Sequence, residues 1–300
     1  MRTAFLVATR RCTRDCPFCF YATGYLRHPS VELETPRIIE AVGRAAELGA
    51  TKLIVSGGEP LLRPDLGQIL EKAGACGMTR LLLTNGDPLD ERTVRRVAQA
   101  GLEAVSLSVN DTATLPRRAA AVALLAREAA VPVTAIIAFH RRNANEIPAI
   151  LDWAARSGVA ALLQPAFIPP GSAGERSLSP RRLSPDEWAV VEPAVRRWAS
   201  ASGAEPYARL VLGLYGRGEP LKPRRCAMGS GAFVIDCDGS VYPCFHRRDL
   251  AAGGILSSDA AELETRLAAA AEAVAEAPCF GERCVSLFAG VEGIDLAPAR

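Results

Sequence analysis

Three cysteines near the start of the chain stand closer together than any other three. Cys12, Cys16 and Cys19 form a C-x3-C-x2-C triplet that spans eight residues. Thiolates at this spacing can hold three irons of a 4Fe–4S cluster and leave the fourth iron open to a ligand that is not protein. A zinc site takes four ligands, or three plus water, and usually includes histidine, whereas the nearest histidine is His28. The triplet therefore favours an open iron–sulfur cluster over zinc and over buried structural thiols.

A second group of cysteines lies in the last quarter of the chain. Its members are Cys226, Cys237, Cys244, Cys279 and Cys284. Asp238-Gly239 stands between two β-type runs and predicts a two-residue hairpin turn. That turn pairs position 237 with 240, 235 with 242 and 233 with 244. Because paired residues share a face, Cys237 is expected on the face of Cys244, about 14 Å away from it.

The bulk composition excludes several classes of protein. The chain has 300 residues, of which 49% are hydrophobic, and a formal net charge of +2. This length fits one large domain or a domain with an appendage, and the small charge argues against nucleic acid or an anionic membrane as a partner. Arg10 and Arg11 interrupt the first apolar run, so neither a signal peptide nor a membrane span is expected. Nine cysteines in such a chain predict a cytoplasmic protein that binds metal rather than forming disulfides.

Alternating strands and helices are predicted to position the triplet. Apolar runs predict strands over 4–9, 52–55, 80–83, 104–109, 133–138 and 159–163, and periodicity predicts helices over 36–48, 66–75, 91–100, 116–129 and 146–156. Six such units indicate an α/β fold, a partial (β/α)6 TIM-like barrel whose site lies at the C-terminal strand ends. The barrel is assigned to 1–167, a linker and helix to 168–204, and a small α+β domain of a hairpin plus a helix to 205–300.

Polar residues follow several of these strands. Gly57 and Gly58 follow the second strand and permit a close backbone approach to a ligand, while Glu59 can accept a hydrogen bond from an ammonium group. An ordinary turn is the alternative. Ser108 and Asn110 end the fourth strand, and either can bind a ligand or cap a loop.

The triplet and the residue before its last cysteine carry a resemblance. With Phe18 as the aromatic residue, C-x3-C-x-aromatic-C resembles the signature of the radical S-adenosylmethionine (SAM) superfamily. In that family SAM chelates the open iron, and one electron splits it into methionine and a 5′-deoxyadenosyl radical. This radical removes a hydrogen atom from a carbon. The resemblance thus implies SAM, a 4Fe–4S cluster and an electron donor such as flavodoxin or ferredoxin.

The same resemblance implies roles for the residues at the strand ends. The Gly-Gly-Glu stretch contacts the SAM amino group, and Phe18 belongs to the cofactor site. Ser108 and Asn110 are expected at the ribose or carboxylate of SAM. Gln164, which ends the sixth strand, is expected to contact SAM or substrate.

The second cysteine group carries a further resemblance. Gly239-x4-Cys244, with a cysteine upstream, is similar to the twitch domain, the short form of the SPASM domain. By that resemblance an auxiliary 4Fe–4S cluster is ligated by Cys226, Cys244, Cys279 and Cys284. The C-x4-C spacing of the last pair departs from the tighter spacings common there. A zinc site built from the same cysteines is the alternative.

A small substrate is expected, for two reasons. No domain precedes the first predicted strand to bind a leader peptide, and a full SPASM domain carries more cysteines. The layout is similar to that of two twitch enzymes of aminoglycoside antibiotic biosynthesis, neomycin C epimerase and 2-deoxy-scyllo-inosamine dehydrogenase. The leading hypothesis is epimerisation of an amino sugar with Cys237 as the catalytic hydrogen-atom donor, because a thiol S–H bond is weak.

Other functions stay open at this point. The enzyme can be a dehydrogenase that oxidises an aminocyclitol or sugar alcohol through the auxiliary cluster, or a maturase that modifies a peptide. A zinc-binding structural protein is the alternative that is not an enzyme. Cys237 can also be an incidental cysteine beside a turn. A polycationic substrate calls for carboxylates, for which Asp111, Asp236 and Glu175 are candidates.

Overall fold

The computed structural model describes residues 2–19, 31–168, 171–219 and 228–275. The strands are β1 (Arg2–Thr9), β2 (Ala50–Gly57), β3 (Thr79–Thr84), β4 (Ala104–Ser108), β5 (Val133–Phe139), β6 (Ala160–Pro165), β7 (Ala232–Ile235), β8 (Ser240–Tyr242) and β9 (Gly253–Gly254). The helices are α1 (Thr35–Glu47), α2 (Leu66–Ala75), α3 (Glu91–Gln99), α4 (Leu115–Glu128), α5 (Ile147–Arg156), α6 (Glu175–Leu178), α7 (Pro185–Ser202), α8 (Glu205–Val211) and α9 (Ala260–Ala275). No helix within these ranges is both long and apolar enough to cross a membrane.

All strands belong to one sheet. Its order is β6-β5-β4-β3-β2-β1-β7-β8-β9. Strands β1 to β6 pair in parallel, each with the next strand along the chain. Because β6 and β9 stand at opposite ends of this order, the barrel is open in the part of the chain that the structure describes. The predicted α/β fold with parallel βα units and a partial TIM-like barrel is confirmed.

The central strand β1 is buried on both faces. Ala4, Leu6 and Ala8 pack in the core between the sheet and the helices α1 to α5. Phe5 and Val7 point the other way and pack in a second apolar cluster on the opposite face. A parallel strand covered on both faces reads as a continuous apolar run, which is why the sequence predicts it well.

The helices lie close to their predicted positions. Helix α2 begins and ends at the predicted residues, and α1 buries Ile38, Ala41, Val42 and Ala45 at the spacing of one helical face. Asp65 stands just before α2, where an aspartate commonly caps a helix, but its side chain makes no cap there. Its carboxylate instead pairs with Arg63 at 2.6 Å and accepts the Thr35 hydroxyl at 2.7 Å, so it ties α1 to α2.

Helix α7 closes the side of the barrel beside β6. Ser184 and Glu187 form a capping box at its N-terminus. Trp188 lies in its buried face. Trp198 donates a hydrogen bond from its indole N–H to the carbonyl of Ala161 at 3.2 Å. This bond holds α7 against β6.

The C-terminal hairpin is part of the barrel sheet. Strand β7 pairs in parallel with β1, with Val234 beside Phe5. The predicted boundary at residue 205 therefore marks no break in the sheet, and the three-part division of the chain stays a prediction.

The hairpin register differs from the predicted one by one residue. The pairs are Val234 with Tyr242 and Ile235 with Val241. Asp236 then faces Ser240, to whose carbonyl its N–H donates at 2.8 Å, and the loop has three residues. Gly239 ends this loop at a φ of +87°, which is typical of a three-residue hairpin with a left-handed third position. Cys237 therefore lies in the turn, and the predicted pair 237–240 is wrong.

Candidate functional site

The cysteine triplet lies on the loop that follows β1. Cys12 is exposed, and Cys16 and Cys19 are half-buried. The Cys19 N–H donates to the Cys16 carbonyl at 3.0 Å, and the Arg14 N–H donates to the Cys12 sulfur at 3.4 Å. Burial, and after it the neighbouring Cys19 thiol, raise the pKa of Cys16 to about 11. The thiols are therefore close enough to oppose one another's ionisation, which a bound cationic metal centre relieves.

The donor set of this loop fits a 4Fe–4S cluster. Its three cysteines stand within eight residues, and each can ligate a separate iron of such a cluster. Within the described ranges, no group of three His, Cys, Asp or Glu side chains is placed to hold a single metal ion.

Gly57 and Gly58 fix the base of this loop. The Gly58 N–H donates to the Thr9 carbonyl and the Glu59 N–H to the Arg11 carbonyl, each at 2.7 Å. A Cβ atom on Gly57 would lie 2.3 Å from the Thr9 oxygen, and one on Gly58 would lie 2.3 Å from the Arg11 oxygen. The close approach that these glycines permit is thus made to the protein's own cysteine loop. Their predicted contact with SAM stays a prediction.

Glu59 is buried with 0% exposure. Its carboxylate accepts hydrogen bonds from the Thr84 hydroxyl at 2.8 Å, the Asn85 N–H at 2.7 Å and the Leu61 N–H at 3.1 Å. Burial raises its pKa, and the hydrogen bonds from Asn85 and Thr84 counter part of that rise. The carboxylate therefore ties the end of β2 to the end of β3. Its predicted role at the SAM ammonium group stays a prediction beside this structural one.

The segment after β3 touches the cysteine loop directly. The Asn85 side-chain amide donates to the Thr13 hydroxyl at 3.0 Å and to the Cys12 sulfur at 3.6 Å. Asp87 pairs with Arg14, at 2.6 Å from its Nε. The stretch of 84–87 thus contributes positioning contacts that the sequence analysis did not assign.

A cleft of about 430 Å³ lies between the cysteine loop and the ends of β4 and β5. It is lined by Arg14, Asp15, Cys16, Pro17, Phe18, Asn110, Asp111, His140, Arg142, Asn143 and Glu146. The Phe18 and His140 rings lie 4.6 Å apart between centroids and are tilted by 32°. The cleft thus places two predicted cofactor residues, Phe18 and Asn110, beside the predicted ligand Cys16.

Asn110 also joins two strand ends. Its side-chain oxygen accepts the Ala138 N–H at 2.8 Å, and its carbonyl accepts the Asn143 side-chain amide at 3.0 Å. Ser108 ends β4 and Gln164 lies on β6, where it pairs with Ala138. Neither of these two residues lines the cleft. The ligand contacts predicted for all three stay predictions.

His140 is a cleft residue that the sequence analysis missed. The residue is 5% exposed, and its Nδ1 is buried with no hydrogen-bond partner among the described residues. Burial lowers the pKa of His140 to about 4. The imidazole is therefore neutral at physiological pH and can offer an unused hydrogen-bonding atom to a ligand. The available signal was its position, directly after the fifth predicted strand.

Cys237 and Cys244 lie on the face of the sheet opposite the helices α1 to α5. Both are buried and belong to one apolar cluster with Phe5, Val7 and Val234. The expectation that they share a side survives the change of register. The Cys237 N–H donates to the Asp236 carboxylate at 2.7 Å. Three of the cysteines assigned to the auxiliary cluster, Cys226, Cys279 and Cys284, lie outside the described residues.

Asp236 joins the hairpin to the cysteine loop. Its carboxylate, 1% exposed, pairs with Arg10 at 2.5 Å and also with Arg248. Burial alone would raise the pKa of Asp236, but Arg248 and Arg10 outweigh it and the pKa is lowered. A charge so paired is not available to a cationic substrate. Glu175, a second candidate for that role, pairs with Arg182 at 2.5 Å.

Comparison with known sequences identifies the barrel. Residues 6–154 match the family described as the Radical SAM superfamily. "PqqA peptide cyclase" of Granulibacter bethesdensis is 31% identical over 161 residues, which cover 50% of this chain and 43% of that protein. The protein of the same name from Gluconobacter oxydans is 32% identical over 161 residues, 45% of its length. The chain thus matches less than half the length of these relatives.

Solved structures share the fold over more of the chain. The structure of native anSMEcpe with bound AdoMet superposes with a TM-score of 0.65 at 18% identity, over 87% of this chain and 80% of that one. Streptococcus suis SuiB bound to S-adenosylmethionine gives 0.64 at 13% identity, over 86% and 64%. At these identities the likeness shows the fold alone. The family match, together with the cysteine loop, shows that residues 6–154 are a radical SAM domain.

Proposed function

We propose that this radical SAM enzyme modifies a peptide. The observation that carries the proposal is the similarity of its radical SAM half to PqqA peptide cyclases, at 31% to 33% identity. The fold is also that of SuiB, which was solved with the precursor peptide SuiA. This proposal replaces the amino-sugar epimerase as the leading hypothesis.

The charges of the site support the same choice. A polycationic amino sugar calls for carboxylates that are open to it. Asp236 is buried between two arginines, and Glu175 is held by Arg182. Of the three candidate carboxylates, Asp111 alone lines the cleft. Two further carboxylates and two guanidinium groups line it as well, those of Asp15, Glu146, Arg14 and Arg142. A peptide, which carries few charges per residue and offers backbone amides, suits this mixed lining better.

The chain's own residues would hold the cofactors as follows. Cys12, Cys16 and Cys19 would ligate three irons of a 4Fe–4S cluster, and Phe18 and Asn110 would line the place of SAM beside it. When bound and reduced by one electron, the cluster and SAM together would supply a carbon radical that can remove a hydrogen atom from a C–H bond. We also propose a second, auxiliary 4Fe–4S cluster and a flavodoxin or ferredoxin as the electron donor. Ser108 and Gln164 are proposed to contact SAM or substrate.

Epimerisation with Cys237 as the donor is the second candidate. The observation that favours it is the place of Cys237, buried on the face of the sheet that carries Phe5 and Val7. Cys237 has 0% exposure, so as a donor it requires that the substrate radical enter this apolar cluster. This role is independent of whether the substrate is a peptide or an amino sugar. Oxidation of an aminocyclitol is the alternative in which Cys237 is not needed.

The test is SAM cleavage with defined substrates. The reconstituted, reduced enzyme is supplied with SAM and with either synthetic peptides encoded beside its gene or aminoglycosides, and 5′-deoxyadenosine is measured. We expect the peptides to stimulate its formation and to change in mass. Stimulation by aminoglycosides alone would overturn the proposal. In deuterated water, one deuterium in the product that is lost with Cys237→Ala would establish the donor.

A further inference from the structure

Asp87 holds the cysteine loop through a single side chain. The Arg14 guanidinium, which lies between Cys12 and Cys16 in the sequence, donates to both Asp87 oxygens, from Nε at 2.6 Å and from Nη2 at 2.8 Å. The two side chains are only 18% and 15% exposed. A forked, partly buried arginine–carboxylate pair of this kind is stronger and more directional than a surface ion pair.

The same carboxylate gathers further cations from helix α4. Arg118 donates to Asp87 at 3.3 Å, and Arg117 lies 3.5 Å away. The Arg118 side chain has 0% exposure, and its Nε and Nη1 have no partner among the described residues. A buried guanidinium with this little compensation depends on Asp87, because an unpaired buried charge is costly. Asp87 is therefore fixed from the side of the fold as well as from the side of the loop.

The chain on both sides of Asp87 strengthens this arrangement. The Asp87 N–H donates to the Asn85 side-chain oxygen at 2.9 Å. The amide nitrogen of the same Asn85 side chain reaches Thr13 and Cys12. Asn85 and Asp87 thus contact the loop at two places, Asn85 at Cys12 and Thr13 and Asp87 at Arg14.

We propose that Asp87 is a positioning residue that keeps the cysteine loop in a cluster-ready conformation before the cluster binds. Asp87 acts through Arg14, which lies in the loop between Cys12 and Cys16 and donates to both Asp87 oxygens. A loop that is already ordered loses less conformational entropy when its thiols are captured, so metal binds faster and more tightly. The inference rests on the radical SAM cluster site and not on the identity of the substrate.

The test compares cluster loading in three single variants. Asp87→Asn keeps the shape of the side chain and removes its charge, and Arg14→Lys keeps the charge and removes the fork. Asp90→Asn is the matched control, because Asp90 caps α3 through the Thr93 N–H at 2.7 Å. Each protein without cluster is given limiting iron and sulfide anaerobically, and the rate of cluster absorption and the final iron per chain are measured.

We expect Asp87→Asn and Arg14→Lys each to load about tenfold more slowly than the wild type, the effect of losing one charge-assisted pair. The double variant should be no slower than Asp87→Asn alone, because that change already breaks the pair with Arg14. Asp90→Asn should load normally even where its melting temperature falls. Loading of Asp87→Asn at the wild-type rate, or equal slowing by Asp90→Asn, would overturn the proposal. Where Asp87→Asn does not fold, Arg14→Lys gives the same answer.

Discussion

At the scale of single residues, the site is shaped by side chains that serve the cysteine loop. Gly57 and Gly58 let the end of β2 lie against it, and Asn85 and Asp87 hold it from the end of β3. Most of these residues are not expected to react with a substrate or cofactor. Their effect is to order the three thiols without help from a bound cofactor.

Gly58 offers a test of this ordering. An added Cβ would lie 2.3 Å from the Arg11 carbonyl oxygen, so Gly58→Ala must displace the cysteine loop. We expect it to lose most of its bound iron, as measured by iron analysis after anaerobic reconstitution. Gly67→Ala is the control, because Gly67 lies in helix α2 and the atoms nearest to an added Cβ, on Arg96 and Ala100, are 3.9 Å away. This variant should keep its iron and gain up to about 1 kcal/mol of stability. Equal iron in both variants would contradict the account.

His140 predicts a pH dependence of folding. Its pKa is lowered from 6.5 to about 4 in the fold by burial. Because the unfolded chain then binds more protons, stability present above pH ~6.5 is lost as the pH falls towards 4, by up to about 3 kcal/mol. We expect His140→Phe, which keeps the ring against Phe18, to flatten that part of the profile. The measurement is urea unfolding between pH 4 and 7, and an unchanged slope in the variant would argue against a neutral buried imidazole.

At the scale of elements, the C-terminal hairpin is tied to the barrel by a sheet and by a charge. Strand β7 pairs with β1, and Asp236 at the end of β7 pairs with Arg10, two residues before Cys12. The hairpin turn carries Cys237, whose N–H the same carboxylate accepts. The position of Cys237 is therefore linked to the position of the cysteine loop.

Asp236→Asn is expected to destabilise the protein by about 3 kcal/mol, because it removes a buried carboxylate from two partly buried arginines. Asp238→Asn changes an exposed turn residue whose oxygen accepts the Ser240 N–H at 2.9 Å. That control should cost less than about 1 kcal/mol. Urea unfolding at neutral pH measures both. Similar costs for the two variants would mean that the Asp236 pairs carry little of the attachment.

The elements of the barrel were predictable, and the contacts between them were not. Apolar runs such as that of β1 and one-sided helices such as α1 identify themselves locally, because burial repeats with the period of the element. The hairpin turn was misjudged by one residue because Asp-Gly serves both two-residue and three-residue loops. The hydrogen bonds between the cysteine loop and the side chains of Asn85 and Asp87 join positions more than 70 residues apart. No local sequence pattern predicts such contacts. His140 differs from these, because its place two residues after the fifth predicted strand was a local signal that was overlooked.

At the scale of the whole molecule, the described residues form an open barrel of mainly parallel strands. The cysteine loop and the cleft lie at the C-terminal ends of those strands. The family match covers residues 6–154, while the hairpin that follows extends the same sheet beside β1. The cysteine triplet thus follows β1, and Cys237 follows β7, the strand that pairs with β1 in the same sheet. We propose that Cys12, Cys16 and Cys19 hold a 4Fe–4S cluster whose open iron binds SAM.

Electron paramagnetic resonance of the reduced enzyme, before and after SAM is added, tests this claim most directly. The account predicts a cluster signal that changes shape when SAM binds. It also predicts that replacing all three cysteines by alanine removes that response together with about four irons per chain. A signal that SAM leaves unchanged, or zinc in place of iron in the wild-type protein, would contradict it.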